Sequence, residues 1–263
     1  MPDDTAYAAS DLGHDVPAEL RRLHALEKAW DPYSVSRLCR LPFRDDWQCL
    51  DLGAGAGSIA RWLAARTSRG STTATDIDIR FLPADAPRLR PLVHDVRHDD
   101  FPPESFDLIH ARALLEHLPE RTSVLARAVT WLKPEGFAAM ESTDISPGQH
   151  SRHRPITVAT SAMETLLRTQ IGSDATIGPR MSRLLVQVGL AEVTSHRTTL
   201  AVGPGQRANA FYLSTLDQLA PALVATGLLT EQDVAAAHDF VTTTRDPAVV
   251  AHLYWTTARK PSN

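Results

Sequence analysis

The sequence predicts an α/β fold: a doubly wound, mostly parallel sheet of seven strands with helices on both faces and helical cap insertions. Three observations predict it. Short β-prone runs alternate with helix-period stretches from residue 47 onward. The first run breaks into a glycine-rich turn that opens directly into a helix. The next two runs end on carboxylates, at Asp76 and Asp95.

Each element has its own signal. Residues 1 to about 17 are polar and aperiodic and read as a mobile arm or a short helix. Leu20, Leu23, Leu26 and Trp30 recur at helical spacing, and Asp31-Pro32 should end that helix. A second helix carries Val35, Leu38 and Cys39 and stops near Pro42. Trp47 to Leu52 is the first strand. Ile59, Trp62 and Leu63 mark the apolar face of the helix after the glycine turn. Thr72–Thr75, Pro91–His94, Phe106–His110 and Phe137–Ser142 supply four more strands. A helix over 121–132 is stopped by Lys133-Pro134-Glu135-Gly136. Beyond Asp144 the pattern turns helical, near Val158–Gln170 and Arg180–Val188. Leu190–Val202 and Val249–Ala258 add two closing strands around helices at 205–226 and 231–243. The chain thus divides into an N-terminal helical lid, 1–43, and a larger domain, 44–263. That domain carries cap insertions at about 145–189 and 205–243.

Composition narrows the function. With 263 residues the chain can bury a sizeable core without disulfides or metals. A formal charge of -4 argues against a general nucleic-acid binder. No apolar run is long enough for a membrane span, and the first residues lack the pattern of a signal peptide. Cys39 and Cys49 have no metal-ligand spacing and suit a reducing compartment, so the expected location is the cytoplasm. Of 27 basic residues, only Lys28, Lys133 and Lys260 are lysine. Arg and Ala have GC-rich codons, so this bias points to a GC-rich genome and says nothing of arginine chemistry.

The chemistry centres on Asp51-Leu52-Gly53-Ala54-Gly55-Ala56-Gly57. A glycine turn between strand and helix lets backbone approach a ligand closely, and the helix start adds free N–H groups. A dinucleotide site prefers G-x-G-x-x-G/A. Counted from Gly53, its third small place is Ser58, so a nicotinamide oxidoreductase is a remote reading. An acid followed by x-G-x-G-x-G is met in full. This resembles motif I of the class I S-adenosylmethionine-dependent methyltransferases, whose domain has a Rossmann-like fold. Asp76, Asp95, the strand Phe106-Asp107-Leu108-Ile109-His110 and the turn Lys133-Pro134-Glu135-Gly136 follow in that family's order. Glu135 replaces a glycine usual in that turn. ATDIDIRFL and FDLIHARALLEHL further resemble small-molecule enzymes, including ubiquinone and menaquinone methyltransferases and actinobacterial natural-product methyltransferases.

The resemblance implies S-adenosylmethionine as cofactor, held by Asp51, Gly53, Ala54, Gly55, Gly57, Asp76, Ile77, Asp95, Val96 and His110. Asp76 would take the ribose hydroxyls and Asp95 the adenine amino group. Asp51 has a second reading, as a cap on loop amides. His110 ends the fourth strand, where cofactor and acceptor should meet, and it is a candidate acid–base group. Glu141 and Asp144 lie three apart, so one of them should face the site; Asp144 is the candidate. Tyr7, in the lid, is a third catalytic candidate. His117 reads as packing on a helix, Asp78 as a helix cap, and Arg112 as an acceptor ligand or a cap. His150 and His153 lack a third ligand, so no metal is expected.

The expected function is methyl transfer to a small organic acceptor through a carbon, oxygen or nitrogen nucleophile, in natural-product biosynthesis. The alternative is a pericyclase or a non-catalytic partner that binds the cofactor on the same fold. Expected partners are the small-molecule acceptor alone, without nucleic acid or membrane, in a monomer or homodimer.

Overall fold

A computed structural model describes residue 7 and residues 10–13, 16–84 and 86–262. The rest of the predicted arm, 1–6, 8–9 and 14–15, lies outside the described residues. The elements in order are α1 (Glu19–Leu38), β1 (Gln48–Leu52), α2 (Ser58–Arg66), β2 (Ser71–Asp76), β3 (Leu89–Val93) and β4 (Phe106–Arg112). Then come α3 (Arg121–Trp131), β5 (Leu132–Asp144), α4 (Ser146–Gln149), α5 (Arg154–Ile171) and α6 (Met181–Gln187). The last are β6 (Ala191–Val202), α7 (Asn209–Ala225), α8 (Glu231–Thr243) and β7 (Ala248–Arg259).

The strands form one seven-stranded sheet in the order β3-β2-β1-β4-β5-β7-β6. β1 to β5 pair in parallel, and β7 runs antiparallel to both β5 and β6. The chain winds outward from β1 through β2 to β3, then crosses back to β4. The switch point therefore lies between β1 and β4, above the glycine turn, where open α/β sheets bind ligands.

Side-chain alternation covers both faces. Cys49, Leu108, Ala139 and Trp255 pack with Leu38 of α1 and Ile59 and Leu63 of α2. Leu50, Ile109, Ala138 and Met140 pack on the other face with α3 and α6 through Leu125, Trp131, Met181 and Leu185. A third cluster sits off the end of the sheet. It joins Trp30 of α1 to Ile156 and Met163 of α5, Leu216 of α7 and Val241 of α8. That cluster is the core of the cap.

Some elements depart from expectation. The two N-terminal helices are one: α1 runs through Pro32. A helix-interior proline removes a backbone donor and costs about 3 kcal/mol. Leu26, Ala29, Trp30, Ser34 and Leu38 are all buried along that helix and offset it. The turn at 133–136 is part of β5, with Glu135 in the left-handed region at φ 66°. Its N–H donates to the Lys260 carbonyl at 3.0 Å, and its carboxylate pairs with Arg259. β3 starts at Leu89 and holds Pro91 within it, as an edge strand allows. Asp78 caps no helix; it accepts the Arg80 N–H in a local turn.

Candidate active site

The glycine turn leaves β1 with Gly53, Gly55 and Gly57 all at positive φ. A side chain at Gly53 would come within 3.0 Å of Leu114, and one at Gly57 within 2.9 Å of Leu82. Both positions need glycine for conformation and for space. The turn is tied down by carboxylates. Asp76, at the end of β2, accepts the Gly55 N–H at 2.9 Å. Glu27, on α1, accepts the Ser58 N–H at 3.0 Å and so caps α2 from the lid. A cavity of about 450 Å³ opens over this turn. Gly53, Ala54, Gly55, Asp76, Ile77, Asp95 and Val96 all line it. Gly57 is absent from its wall and serves the entry to α2 instead.

Below the turn runs a buried chain of polar groups. Asp51 on β1 stands opposite His110 on β4 and meets its Nδ1 at 2.7 Å. The other ring nitrogen, Nε2, meets Glu141 on β5 at 2.9 Å. The second Glu141 oxygen accepts the Ser34 hydroxyl of α1 at 2.7 Å. Arg112 extends the chain, donating to Asp31 at 2.7 Å, Ser34 at 3.2 Å and Ser58 at 3.0 Å. Burial alone would lower the His110 pKa, but the two carboxylates outweigh it and raise it to about 9. His110 is therefore a protonated strut with both nitrogens spent. This corrects its reading as an acid–base group, although it still borders the cavity. Arg112 ties the lid to the sheet and also borders the cavity.

Asp144 is also corrected. It accepts the N–H and hydroxyl of Ser146 at 3.0 and 2.5 Å, which starts α4. Strand alternation turns it from the face of Glu141 and Thr143, and Thr143 and Ile145 border the cavity in its place.

The far end of the cavity is built by the cap and lid. Leu12, Leu26, Trp30, Met163, Leu167 and Phe211 supply apolar wall. Tyr7 and His117 meet there, with ring centroids 5.4 Å apart. His117 lies on a single 3-10 turn, Leu115–His117, rather than on a packed helix. Its Nδ1 is 2.8 Å from the Ser173 hydroxyl, which donates to the Glu116 carbonyl at 3.3 Å. With its one proton so used, Ser173 accepts from Nδ1–H, which leaves the Nε2 lone pair for the cavity. Burial, then the charges of Arg22 and Arg121, push the His117 pKa down to about 3, so the ring is neutral. Burial pushes Tyr7 well above the usual phenol range and Glu116 up to about 7. Sequence reasoning missed His117, Glu116 and Arg22 as cavity residues. Pro119, just beyond Leu118, was the available sign that no long helix continues there.

Other candidates fall as follows. Asp95 borders the cavity and also pairs with Arg97 at 2.7 Å. Asp107 is structural; it accepts the Gln48 N–H and pairs with Lys133, both at 2.7 Å. His150 donates to the Ser146 carbonyl, and His153 faces Asp246 at 3.3 Å. Among the described residues no three His, Cys, Asp or Glu side chains form a group that could hold a metal. No helix among them is long and apolar enough to cross a membrane.

Comparison with known proteins fits this geometry. Residues 50–140 match a family described as a methyltransferase domain. Methyltransferase str3 of Strobilurus tenacellus is 29% identical over 135 residues, covering 48% of this chain and 46% of the relative. Trans-aconitate 2-methyltransferase of Deinococcus radiodurans is 28% identical over 166 residues, covering 59% and 62%. The matched stretch thus spans about half to three-fifths of these relatives' length. Phosphoethanolamine N-methyltransferase 2 of Haemonchus contortus, solved with phosphomonomethylethanolamine and S-adenosylhomocysteine, superposes with a TM-score of 0.59 at 17% identity. That superposition covers 97% of this chain and 57% of the other. In sheet order, glycine turn and the matched residues 50–140 the chain is similar to the class I S-adenosylmethionine-dependent methyltransferases.

Proposed function

We propose that the protein transfers a methyl group from S-adenosylmethionine to a small organic acceptor, in the biosynthesis of a natural product. One observation carries the reading. One cavity joins the glycine turn and the strand-end carboxylates to an apolar chamber lined by the lid. Its volume lies in the range of small-molecule sites. The residues fit the cofactor: Gly53 and Gly55 carry no side chain where the turn meets the cavity, and Asp76 and Asp95 stand at successive strand ends. Bound S-adenosylmethionine supplies a methyl already activated on cationic sulfur.

The residues then divide the work. Asp76 holds the ribose hydroxyls, as an acceptor-only carboxylate can. Ile77 and Val96 flank the adenine, and Asp95 reads its amino group. Asp51 and His110 fix the platform beneath. Tyr7 and the His117 lone pair orient the acceptor. Placing the nucleophile on axis near the methyl is worth up to ~7–11 kcal/mol. Leu12, Leu26 and Trp30 exclude water, which favours a displacement that neutralises charge. The name of the trans-aconitate relative supports a small-molecule acceptor.

Calorimetric titration tests the first half: S-adenosylmethionine binds, and lack of binding at millimolar ligand overturns the reading. Asp76→Ala, still folded, should weaken that binding by about 1–3 kcal/mol, or roughly 5- to 150-fold. Formation of S-adenosylhomocysteine with an acceptor separates methyl transfer from cofactor binding without transfer.

A further inference from the structure

The lid buries an ion pair that the methyl-transfer reading does not use. Arg22 donates from Nε to Glu19 Oε2 at 2.8 Å and from Nη2 to Oε1 at 2.7 Å. Gln218 of α7 donates to the same Glu19 Oε2 at 2.7 Å. Glu19 is fully enclosed, whereas Arg22 borders the cavity with its guanidinium 5.8 Å from the Phe211 ring centroid. The pair therefore shows only its positive half to the chamber. A guanidinium has five N–H donors, and two are spent on Glu19. The charge of Arg22 also reaches Tyr7 and His117, lowering the pKa of each.

Stability does not call for this arrangement. Buried ion pairs are commonly matched or bettered by apolar side chains of similar volume. The walls beside it, Leu12, Leu26, Trp30, Met163 and Leu167, are already apolar. The carboxylates along the cavity are otherwise engaged: Asp76 by Gly55, Glu27 by Ser58, and Glu164 by Arg168 at 3.6 Å. Glu116 lines the cavity but is 2% exposed, with one oxygen buried and the other accepting the Thr143 hydroxyl. Among the lid and cap residues that line the apolar end, Arg22 is thus the charge left for a ligand, and an anionic head finds it there.

We propose that Arg22, held from behind by Glu19 and Gln218, is the seat for a carboxylate on the acceptor, so that the acceptor is an apolar organic acid. The planar fork of Arg suits a carboxylate, and Tyr7 stands nearby as a second donor. The assignment rests on the methyl-transfer reading. The cofactor also carries a carboxylate, and the test separates the two sources.

Benzoate, 4-phenylbutyrate and decanoate, each against its primary amide, are titrated into protein with and without saturating S-adenosylhomocysteine. At least one acid should bind about tenfold tighter than its amide. The double variant Glu19→Gln/Arg22→Met removes both charges together and should erase that preference. Its affinity for S-adenosylhomocysteine should stay within about twofold of the parent. Equal binding of acids and amides, or no binding of any acid, overturns the proposal. So does a double variant that loses S-adenosylhomocysteine about tenfold, since Arg22 would then hold the cofactor's carboxylate. Should that variant not fold, Arg22→Lys decides: acid affinity falls about five- to tenfold and amide affinity holds, and an unchanged acid affinity overturns the seat. Protein that prefers the acid but never binds S-adenosylhomocysteine keeps the seat and overturns the cofactor assignment instead.

Discussion

His110 and His117 occupy two regions that differ in what a buried imidazole is asked to do. One lies in the sheet beneath the glycine turn, the other on the 3-10 turn after β4, against the cap and beside Tyr7. Burial disfavours charge at both. At His110 two carboxylates face the two ring nitrogens at 2.7 and 2.9 Å, and the pKa rises to about 9. At His117 one nitrogen meets a serine hydroxyl and the nearby charges are those of Arg22 and Arg121, so the pKa falls to about 3. Burial sets the sensitivity, and the charged partners set the sign. The sheet histidine is a cation that holds strands together. The histidine after β4 is a neutral acceptor left open toward the chamber.

The largest way to break this contrast is His110→Leu. It leaves Asp51 and Glu141 buried without their partner, and losing one member of a buried ion pair costs about 3–5 kcal/mol. Denaturant unfolding should show that loss; a variant as stable as the parent would refute the strut.

Next comes pH. A histidine whose folded pKa is raised lends stability that is full below its unfolded value, near 6.5, and is lost as pH climbs through about 9. The unfolding midpoint should therefore drop between pH 7 and 10, and His110→Gln should lack that step. For His117 the sign reverses: its contribution is present above about 6.5 and fades as pH falls toward 3.

A smaller effect is expected from His117→Phe. Losing one hydrogen bond to the acceptor should raise its KM about tenfold, while affinity for S-adenosylhomocysteine holds. A shift in cofactor affinity would place His117 in the wrong half of the cavity. Smallest is Ser173→Ala, which frees the His117 ring to choose its tautomer and should lower kcat/KM about threefold in steady-state assays.

The same division explains what could be read from the chain. The sheet half was legible because its signals are local. A glycine turn needs consecutive residues, and a strand-end acid follows a β-prone run. The strands of the sheet and the positions of Asp76 and Asp95 could be placed that way. The cap was not legible, because its chamber is made by distant segments meeting. Arg22 looks like any helix arginine until Glu19 and Gln218 enclose it. His110 shows the limit within the sheet half: its position was readable, but its role depends on Glu141, a neighbour only through strand pairing. Asp144 failed for a related reason, since strand alternation chose between it and Glu141. Pro32 misled because a local break was overruled by a continuous buried stripe.

The lacing of Asp51, His110 and Glu141 across β1, β4 and β5 has a consequence for how the molecule opens. Local excursions follow the weakest contacts first. These three strands are fastened where the glycine turn departs, and Ser34 and Arg112 fasten α1 to the same place. The floor of the cavity should thus be among the last parts to loosen, so that the turn over it keeps its shape from one bound molecule to the next.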